Sequence, residues 1–343
     1  MTAFPKQFPA GLPVKPETLL VQHYQFHGLE LIIHSNEADL LSILHNSLKY
    51  FTGQNPVSSL PQIHLVFLIS DLGQFPQPLA TDAKPVSFSG ELQYFIDNQL
   101  LYTVILGKSL VMCHLSEGWA LGYIKPALLE NEWIIFQLIF YPVLAELLKQ
   151  HHIFNVHAAL VANQEGQAIL LSAPTGRGKS TSMVHLVRNG YKFLSDDISL
   201  VKKGAEGLTL LGLPQPVNLL PDAIANFPEL GFLQAVKKRC TRSKRSFRIE
   251  EVYPDSLETQ AVPAWIVFPQ VQAKLDTALL PLSKSEALSN LIPQSLVVAN
   301  RAIVREHLDI LAQLVQDCEC YCLRLGKAAG EMIPKLFGEL TSK

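Results

Sequence analysis

Residues 168–197 read AILLSAPTGRGKSTSMVHLVRNGYKFLSDD, and this stretch decides the fold. Gln167 to Ser172, apolar at four successive positions, predict a buried β-strand. The loop Ala173–Ser180 fits the pattern G-x-x-x-x-G-K-[ST], except that alanine replaces the first glycine. Lys179 to Asn189 predict a helix, with Gly190 in the position that follows a helix end. A strand, a glycine-rich loop and a helix in this order predict an α/β domain with a phosphate-binding loop.

Each part of this loop has a physical task in holding phosphate. Glycines permit the backbone angles that turn successive N–H groups inward, and the helix that follows adds its positive N-terminal end. The Lys179 ammonium would neutralise the β- and γ-phosphates, and the Ser180 hydroxyl would bind Mg²⁺. Ala173 is tolerated if its φ is negative. A glycine-rich turn without a ligand is the alternative. The predicted nucleotide contacts are Ala173, Pro174, Thr175, Gly176, Arg177, Gly178, Lys179, Ser180 and Thr181.

Asp196 and Asp197 follow Lys179 by 17 and 18 residues. One helix and one strand use up that spacing, so the pair should return to the edge of the sheet that carries the loop. There one acid could bind Mg²⁺ and the other could act as base for an incoming hydroxyl. Adjacent side chains of a strand point to opposite faces, so we expect only one to face the phosphates squarely. A solvated Asp-Asp turn is the alternative.

His157 lies in a predicted strand, Phe154 to Ala162, that precedes the loop. If neighbouring strands bring His157 beside Asp196 and Asp197, it could tune the base, because a nearby charge shifts the pKa of a carboxylate. An ordinary surface or core histidine is the alternative.

Together these segments resemble the HPr kinase/phosphorylase family and, more closely, its broader HPr-kinase-like bacterial relatives. The resemblance rests on Val156-His157-Ala158-Ala159, the loop, Phe193-Leu194-Ser195-Asp196-Asp197 and Gly212-Leu213-Pro214-Gln215-Pro216-Val217, within about residues 154 to 220. It implies a fold related to phosphoenolpyruvate carboxykinase and phosphoryl transfer from ATP to a hydroxyl, most often of serine.

The resemblance also implies roles for single residues. Lys179 would hold phosphates, Ser180 would hold Mg²⁺, Asp196 and Asp197 would divide base and metal binding, and His157 would contact that pair. The sequence departs from the family at Ala173. It also lacks the metal-binding glutamate of Glu-x-Arg-Gly-Leu-Gly, because residues 209–214 read TLLGLP. The missing glutamate leaves open a nucleotide-binding regulator without catalysis.

The segment Lys237–Arg248, KKRCTRSKRSFR, holds seven cations in twelve residues. A solvated loop, a nucleic-acid contact, or a loop that closes over the phosphates are the alternatives. In the last case Lys244, Arg245 or Arg248 would face the transferred phosphoryl group.

Length, composition and net charge limit the class of protein. The chain has 343 residues, 48% of them hydrophobic, and a formal net charge of −2, which predicts two globular domains and no nucleic-acid partner. The uncharged run 133–145 is shorter than the ~20 residues that span a bilayer, and the N-terminus does not resemble a signal peptide, so we expect a cytoplasmic protein without a membrane span. Cys318, Cys320 and Cys322 are interpreted as buried thiols rather than metal ligands.

These observations predict a smaller α+β domain over residues 1–125 and a P-loop kinase domain over 126–343. The cofactors expected are ATP and Mg²⁺. The acceptor is a serine of a protein or peptide, or alternatively the hydroxyl of a small metabolite. The N-terminal domain would recognise the acceptor or mediate assembly, and the family often forms ring-shaped homo-oligomers.

Overall fold

The computed structural model describes residues 18–53, 59–71, 84–89, 92–97, 99–235, 244–295 and 301–341. The chain divides into two compact units. Of the described residues, the first unit holds those up to His152 and 301–303, and the second holds Ile153 to Ser295 and those from Val304 onward. The division between His152 and Ile153 lies later than the predicted one after residue 125. The reason is that the helical segment 132–148 packs against a helix and a strand of the first unit.

The first unit is an α+β layer structure. Its elements are β1 (Leu20–Phe26), β2 (Leu29–Ser35), α1 (Ala38–Leu48), β3 (Gln62–Ile69), β4 (Lys84–Ser89), β5 (Leu92–Asp97), β6 (Leu100–Ile105), β7 (Ser109–His114), β8 (Trp119–Ile124), α2 (Glu132–Ile134) and α3 (Tyr141–Leu148). Short 3₁₀ turns cover Lys49–Phe51, Pro126–Glu130 and Lys149–His151. The sheet order is β1-β2-β3-β8-β7-β6-β5-β4, parallel between β2, β3 and β8 and antiparallel elsewhere.

One face of this sheet is covered by the helices. The Phe67 ring of β3 lies 6.3 Å from the ring of Phe140, which belongs to a π-helical turn, Ile135–Phe140, between α2 and α3. Pro142 follows that turn and has no N–H to donate, and its ring crowds the carbonyl four residues earlier, so the helical register widens there. Apolar periodicity alone predicts one continuous helix over residues 131–150.

The second unit carries the phosphate loop. Its strands are β9 (Ile153–Val156), β10 (Ala158–Ala162), β11 (Gln167–Ser172), β12 (Lys192–Ser195), β13 (Ser199–Gly204), β14 (Gly207–Gly212), β15 (Val217–Leu219), β16 (Arg245–Phe247), β17 (Gln260–Asp276), β18 (Ala278–Pro281) and β19 (Glu319–Lys327). Its helices are α4 (Lys179–Arg188), α5 (Pro221–Ile224), α6 (Ile249–Val252), α7 (Lys284–Leu291), α8 (Arg301–Asp317) and α9 (Ala329–Thr341), with 3₁₀ turns at Pro228–Ala235 and Ile292–Gln294.

A mixed sheet forms the centre of this unit. Its order is β12-β10-β11-β17-β14-β13-β9, and β19 pairs with β17 and β18. β11, β17 and β19 are parallel, so their carboxyl ends meet at the edge from which the phosphate loop leaves β11. A separate hairpin pairs β15 with β16. The core includes Leu171 of β11, Val184 of α4, Val267 of β17 and Phe337 of α9.

The predicted strand over residues 154–162 is interrupted at His157. β9 pairs with β13, whereas β10 pairs with β11 and β12. Between them the His157 N–H donates to the Gln294 carbonyl oxygen, at 2.7 Å, so His157 leaves the ladder. This break directs the imidazole towards the phosphate loop.

The cysteines and the apolar helices were the subject of two further predictions. Cys318 and Cys320 are buried thiols and Cys322 is partly buried, while Cys240 lies outside the described residues. No helix of the described chain is long and apolar enough to cross a bilayer.

Candidate active site

The phosphate loop joins β11 to α4 through two glycines in the left-handed region. Gly176 has φ 84° and Gly178 has φ 93°. A Cβ on Gly178 would also lie 2.3 Å from Cδ1 of Leu325, whereas a Cβ on Gly176 would meet nothing within 4 Å. Ala173 is buried and is not among the described non-glycine residues with positive φ. The condition under which alanine can replace the first glycine of the motif is therefore met.

Lys179 is the centre of the site. Its side chain is only 5% exposed, and its ammonium lies 2.7 Å from Oδ1 of Asp197 and 2.8 Å from Nε2 of His157. Because an ammonium can only donate, Nε2 of His157 accepts, and the imidazole proton must sit on Nδ1. Nδ1 in turn donates to the backbone oxygen of Asp197, at 3.0 Å. Burial and the Lys179 charge lower the pKa of His157, which keeps the ring neutral.

Asp196 is the buried member of the acid pair. Its side chain is 4% exposed, and Oδ1 accepts a hydrogen bond of 3.0 Å from the Ser180 hydroxyl. Its Oδ2 is buried and has no hydrogen-bond partner among the described residues. Burial and the neighbouring Asp197 charge raise the pKa of Asp196 to about 7. A cation beside this carboxyl group would stabilise its charged form.

A magnesium ion fits the chemistry of this unpaired carboxyl oxygen. The Ser180 hydroxyl and the Asp196 carboxylate are hard oxygen ligands of the type Mg²⁺ prefers. Within the described residues, no group of three or more His, Cys, Asp and Glu side chains could hold a metal alone. Mg²⁺ commonly has few protein ligands and takes the rest from water and phosphate, so this donor set suits a metal that arrives with a nucleotide.

Asp197 occupies a different environment from Asp196. β12 ends at Ser195, and Asp197 has φ 68°, so the two acids lie in a bend rather than in a strand. The expectation that only one acid faces the loop is therefore wrong, since Asp196 reaches Ser180 and Asp197 reaches Lys179. Burial alone would raise the pKa of Asp197, but the Lys179 ammonium outweighs it and the pKa is lowered. Asp197 is 37% exposed and thus open to a substrate.

The basic segment contributes one cation to the site. Residues 237–243 lie outside the described residues, and the described part begins at Lys244. Lys244 lines the cleft beside the loop, and its charge lowers the pKa of Asp197. Arg245 and Arg248 are not among the described residues that line this cleft. Of the three cations considered from the sequence, Lys244 is the one that faces the loop.

Sequence reasoning missed contacts that come from distant parts of the chain. The Gln294 carbonyl fixes the backbone of His157, and the Ser172 hydroxyl donates to the His157 carbonyl, at 3.4 Å. Ser195 and Ser199 share a hydrogen bond of 2.9 Å beneath the acid pair. No motif marks these residues, since hydroxyl and backbone groups carry no signature of their own in sequence.

The cleft around the loop has a volume of about 840 Å³. Lys179, Asp197 and Lys244 lie at the loop, and the cleft continues along α4 between α5 and the beginning of α9. Its volume lies within the usual range for small-molecule sites, roughly 300–1,000 Å³. The cleft is therefore large enough for a nucleotide.

Comparison with known proteins does not assign this chain to a family. No protein-family model matches the chain. No curated protein matches it significantly. Among solved structures, the HPr(Ser) kinase/phosphatase from Coxiella burnetii matches over 55% of this chain and 90% of that chain, at 10% identity and a TM-score of 0.31. A likeness of this size carries no information on activity, so the chemistry has to be inferred from the residues of the site.

Proposed function

We propose that this chain is an ATP- and Mg²⁺-dependent phosphotransferase that transfers the γ-phosphate to a hydroxyl, namely a serine of a protein or peptide. The supporting observation is that two adjacent acids contact the phosphate loop and that their pKa values are shifted in opposite directions. Lys179 pairs with a charged, accessible Asp197, while Ser180 pairs with a buried Asp196 that has an unused oxygen. In this proposal the second unit is a kinase domain of the phosphoenolpyruvate carboxykinase-like type.

Nucleotide binding follows from the loop. The backbone N–H groups of residues 175–178 and the N-terminal end of α4 would hold the phosphates, because Pro174 has no N–H to donate. Lys179 would neutralise the phosphate charge, and Thr181 would contact the nucleotide farther along α4. Ser180 and Asp196 would hold Mg²⁺, which when bound supplies positive charge to the β- and γ-phosphate oxygens. Because the pKa of Asp196 is raised to about 7, part of the population would have to lose its carboxyl proton near neutral pH before Asp196 could hold the metal.

Asp197 is the base in this proposal. When phosphates attract the Lys179 ammonium, Oδ1 of Asp197 becomes free to accept the proton of the incoming hydroxyl. The hydroxyl oxygen forms a bond to the γ-phosphorus, the bond to the β–γ bridging oxygen breaks, and ADP leaves. His157 positions Asp197 by donating Nδ1–H to its carbonyl, at 3.0 Å. Lys244 would stabilise charge on the transferred group.

One observation favours a second candidate, a nucleotide-binding regulator without catalysis. The stretch 209–214 lacks the glutamate that would supply a further metal ligand, and no larger acidic cluster occurs within the described residues. In either case the first unit would recognise a partner or mediate assembly.

The first experiment is thermal unfolding of the full chain with and without Mg²⁺-ATP, for the wild type and Lys179→Ala. A ligand that binds only the folded state raises the melting temperature, by ~2.7 kcal/mol of stability at 100 times Kd. We expect a shift in the wild type that is lost in the variant. Absence of a shift with ATP, GTP and a non-hydrolysable analogue would remove the nucleotide function.

The second experiment identifies the acceptor. Transfer of label from γ-labelled ATP is measured with serine-containing peptides, free serine and sugars. Label on peptides supports the proposal, and label on free serine or sugars indicates a small-molecule kinase. Tight ATP binding with no transfer to any of them indicates the regulator.

A further inference from the structure

The cleft extends well past the phosphate loop along one face of α4. Thr181, His185 and Arg188 lie four and three residues apart, so their side chains follow one another on the same face of the helix. All three line the cleft. The walls on either side come from the α5 region and the start of α9, and include Asp222, Ala223, Asn226, Ala329, Gly330 and Glu331. We call this part of the cleft the α4 groove.

His185 is the unusual residue of the α4 groove. It is 4% exposed, its ring packs 4.5 Å from the ring of Phe227, and yet it lines the cleft. Its side chain forms no hydrogen bond with any described residue, whereas its backbone oxygen accepts one from the side-chain amide of Asn189, at 2.7 Å. A buried polar ring whose nitrogens bond no residue that the structure describes can hydrogen-bond a ligand that enters the groove.

The space for this ring depends on a glycine of α9. A Cβ on Gly330 would lie 3.0 Å from Cε1 and 3.6 Å from Nε2 of His185. Gly330 does not have a positive φ, so its backbone does not require glycine. The absence of a side chain at this position therefore serves the placement of His185.

The charges of the groove restrict the kind of ligand. Burial and the Arg188 charge lower the pKa of His185 to about 4, so at neutral pH its ring offers one N–H donor and one acceptor. Arg188 is already paired with Glu229, Nε to Oε1 at 3.2 Å. Asp222 and Glu331 add acceptors and negative charge. These groups suit a neutral ligand rich in hydroxyl and amine groups, and they disfavour a second anion.

The position of the groove relative to the phosphate loop points to one kind of ligand. Asp197 and Lys244 mark the side from which an acceptor would approach the γ-phosphate. Thr181 follows Lys179 and Ser180 on α4 and leads from the phosphate site into the groove. A triphosphate held at the loop would therefore have room for its nucleoside along α4, where Thr181, His185 and Arg188 line the same cleft.

We propose that the α4 groove is the nucleoside subsite, in which His185 hydrogen-bonds the nucleoside and Gly330 provides the room for its ring. The inference rests on the proposed nucleotide function and adds to it the residues that distinguish a nucleotide from a bare polyphosphate. In this assignment His185 contributes to affinity for the nucleoside alone.

The test compares two ligands that share the phosphates. Dissociation constants for Mg²⁺-ATP and Mg²⁺-tripolyphosphate are measured by titration calorimetry with the full chain, for the wild type and His185→Ala. Loss of one neutral hydrogen bond should weaken ATP binding about 3- to 10-fold and leave tripolyphosphate binding unchanged. His185→Gln, which retains a donor and an acceptor, should recover part of the loss.

A second pair of variants tests the same point without removing His185. Gly330→Ala should push the ring aside and weaken ATP binding selectively. Gly338→Ala lies in the same helix, and its new Cβ would meet nothing within 4 Å, so it should bind both ligands as the wild type does. If His185→Ala does not fold, as judged from its melting curve, the Gly330 variant decides.

Four results would overturn the inference. Equal weakening of both ligands would mean that His185 only supports the loop. Unchanged ATP affinity in both variants would remove the nucleoside from this groove while leaving the phosphotransferase proposal intact. A wild type that binds tripolyphosphate but gains nothing from the nucleoside would do the same, whereas a wild type that binds neither ligand would remove both proposals.

Discussion

At the scale of single residues, the surroundings of two adjacent carboxyl groups shift their pKa values in opposite directions. Asp196 is buried against Ser180, and its pKa is raised, while Asp197 lies beside Lys179, and its pKa is lowered. Environments that separate the pKa values of neighbouring acids commonly separate their roles as well. In the proposed mechanism, the division between a metal-binding acid and a base rests on burial and on one lysine.

The variant Asp197→Asn tests the role of this residue as base. The asparagine side chain has nearly the same shape as aspartate but cannot accept a proton, so phosphoryl transfer should fall by ~10²- to 10⁴-fold. Binding of Mg²⁺-ATP should change little, and this is measured separately by thermal shift. A variant that transfers phosphate at the wild-type rate would show that Asp197 is not the base.

The variant Asp196→Asn should stabilise the metal-free protein at alkaline pH. The folded pKa, about 7, lies above the ordinary value of 3.8, so the contribution of Asp196 to stability is complete below pH 3.8 and is lost as the pH rises through 7. An asparagine side chain avoids the buried charge, and we expect a gain of up to about 4 kcal/mol at pH 8.

Urea unfolding at pH 5 and pH 8 in the presence of a chelator measures this gain. It should be larger at pH 8, and stabilisation by Mg²⁺-ATP should be reduced. Asp197→Asn is the matched control, because its lowered pKa predicts a change of opposite sign. An equal effect of Asp196→Asn at both pH values would contradict the assignment.

Sequence spacing could predict that Asp196 and Asp197 return to the phosphate loop, since one helix and one strand account for the interval. It could not predict that both acids face the loop, because that depends on the left-handed backbone of Asp197. Nor could it predict the contact of His157 with Gln294, which joins positions with no local relation.

At the scale of secondary-structure elements, the junction of β11 with α4 requires glycine for two separable reasons. Gly178→Ala incurs both a positive φ and a clash with Leu325, whereas Gly176→Ala incurs a positive φ alone. The first should cost about 2–4 kcal/mol and the second about 1–2 kcal/mol of unfolding free energy. Denaturant unfolding of the two variants checks the order, and equal costs would show that Leu325 yields without penalty.

Strands β2 and β3 place two buried histidines side by side. The rings of His34 and His64 lie 6.2 Å apart and nearly parallel, and burial together with the His64 charge lowers the pKa of His34 to about 4. Its contribution to stability is present above pH 6.5 and is lost as the pH falls through 4. His34→Gln should therefore flatten the loss of stability between pH 6.5 and pH 4, measured by urea midpoints across that range. An unchanged slope would mean that His34 is not the titrating group.

The apolar patterns of the sequence predicted β11 and α4 correctly, because periodicity reports the faces that are buried. They failed where backbone hydrogen bonding departs from a regular ladder. The π-helical turn before Pro142 and the strand break at His157 are both of this kind. Pro142 has no backbone N–H, and the N–H of His157 donates to Gln294 instead of to a neighbouring strand. Each change interrupts an element that periodicity alone predicts to be continuous.

At the scale of the whole molecule, composition and length predicted two globular parts, and the chain does form two compact units. The position of the division depended on where a helical segment packs, which no boundary signal in the sequence records. Within the second unit, a single strand ties the sheet together. β17 pairs with β11, β14 and β19, and Trp265 to Val267 are bonded to a strand on each side.

That central strand has a consequence for how the second unit opens. No neighbour of β17 can detach fully without breaking its ladder, so its middle amides should exchange with deuterium only when the entire unit unfolds. We expect Ile266 and Val267 to be among the slowest amides, with a protection free energy equal to that of global unfolding, and those of β18 to exchange faster. Native-state exchange under increasing urea measures this directly. If those two amides exchanged through local openings that cost less than global unfolding, the phosphate loop and the remainder of the sheet would unfold as independent cooperative units.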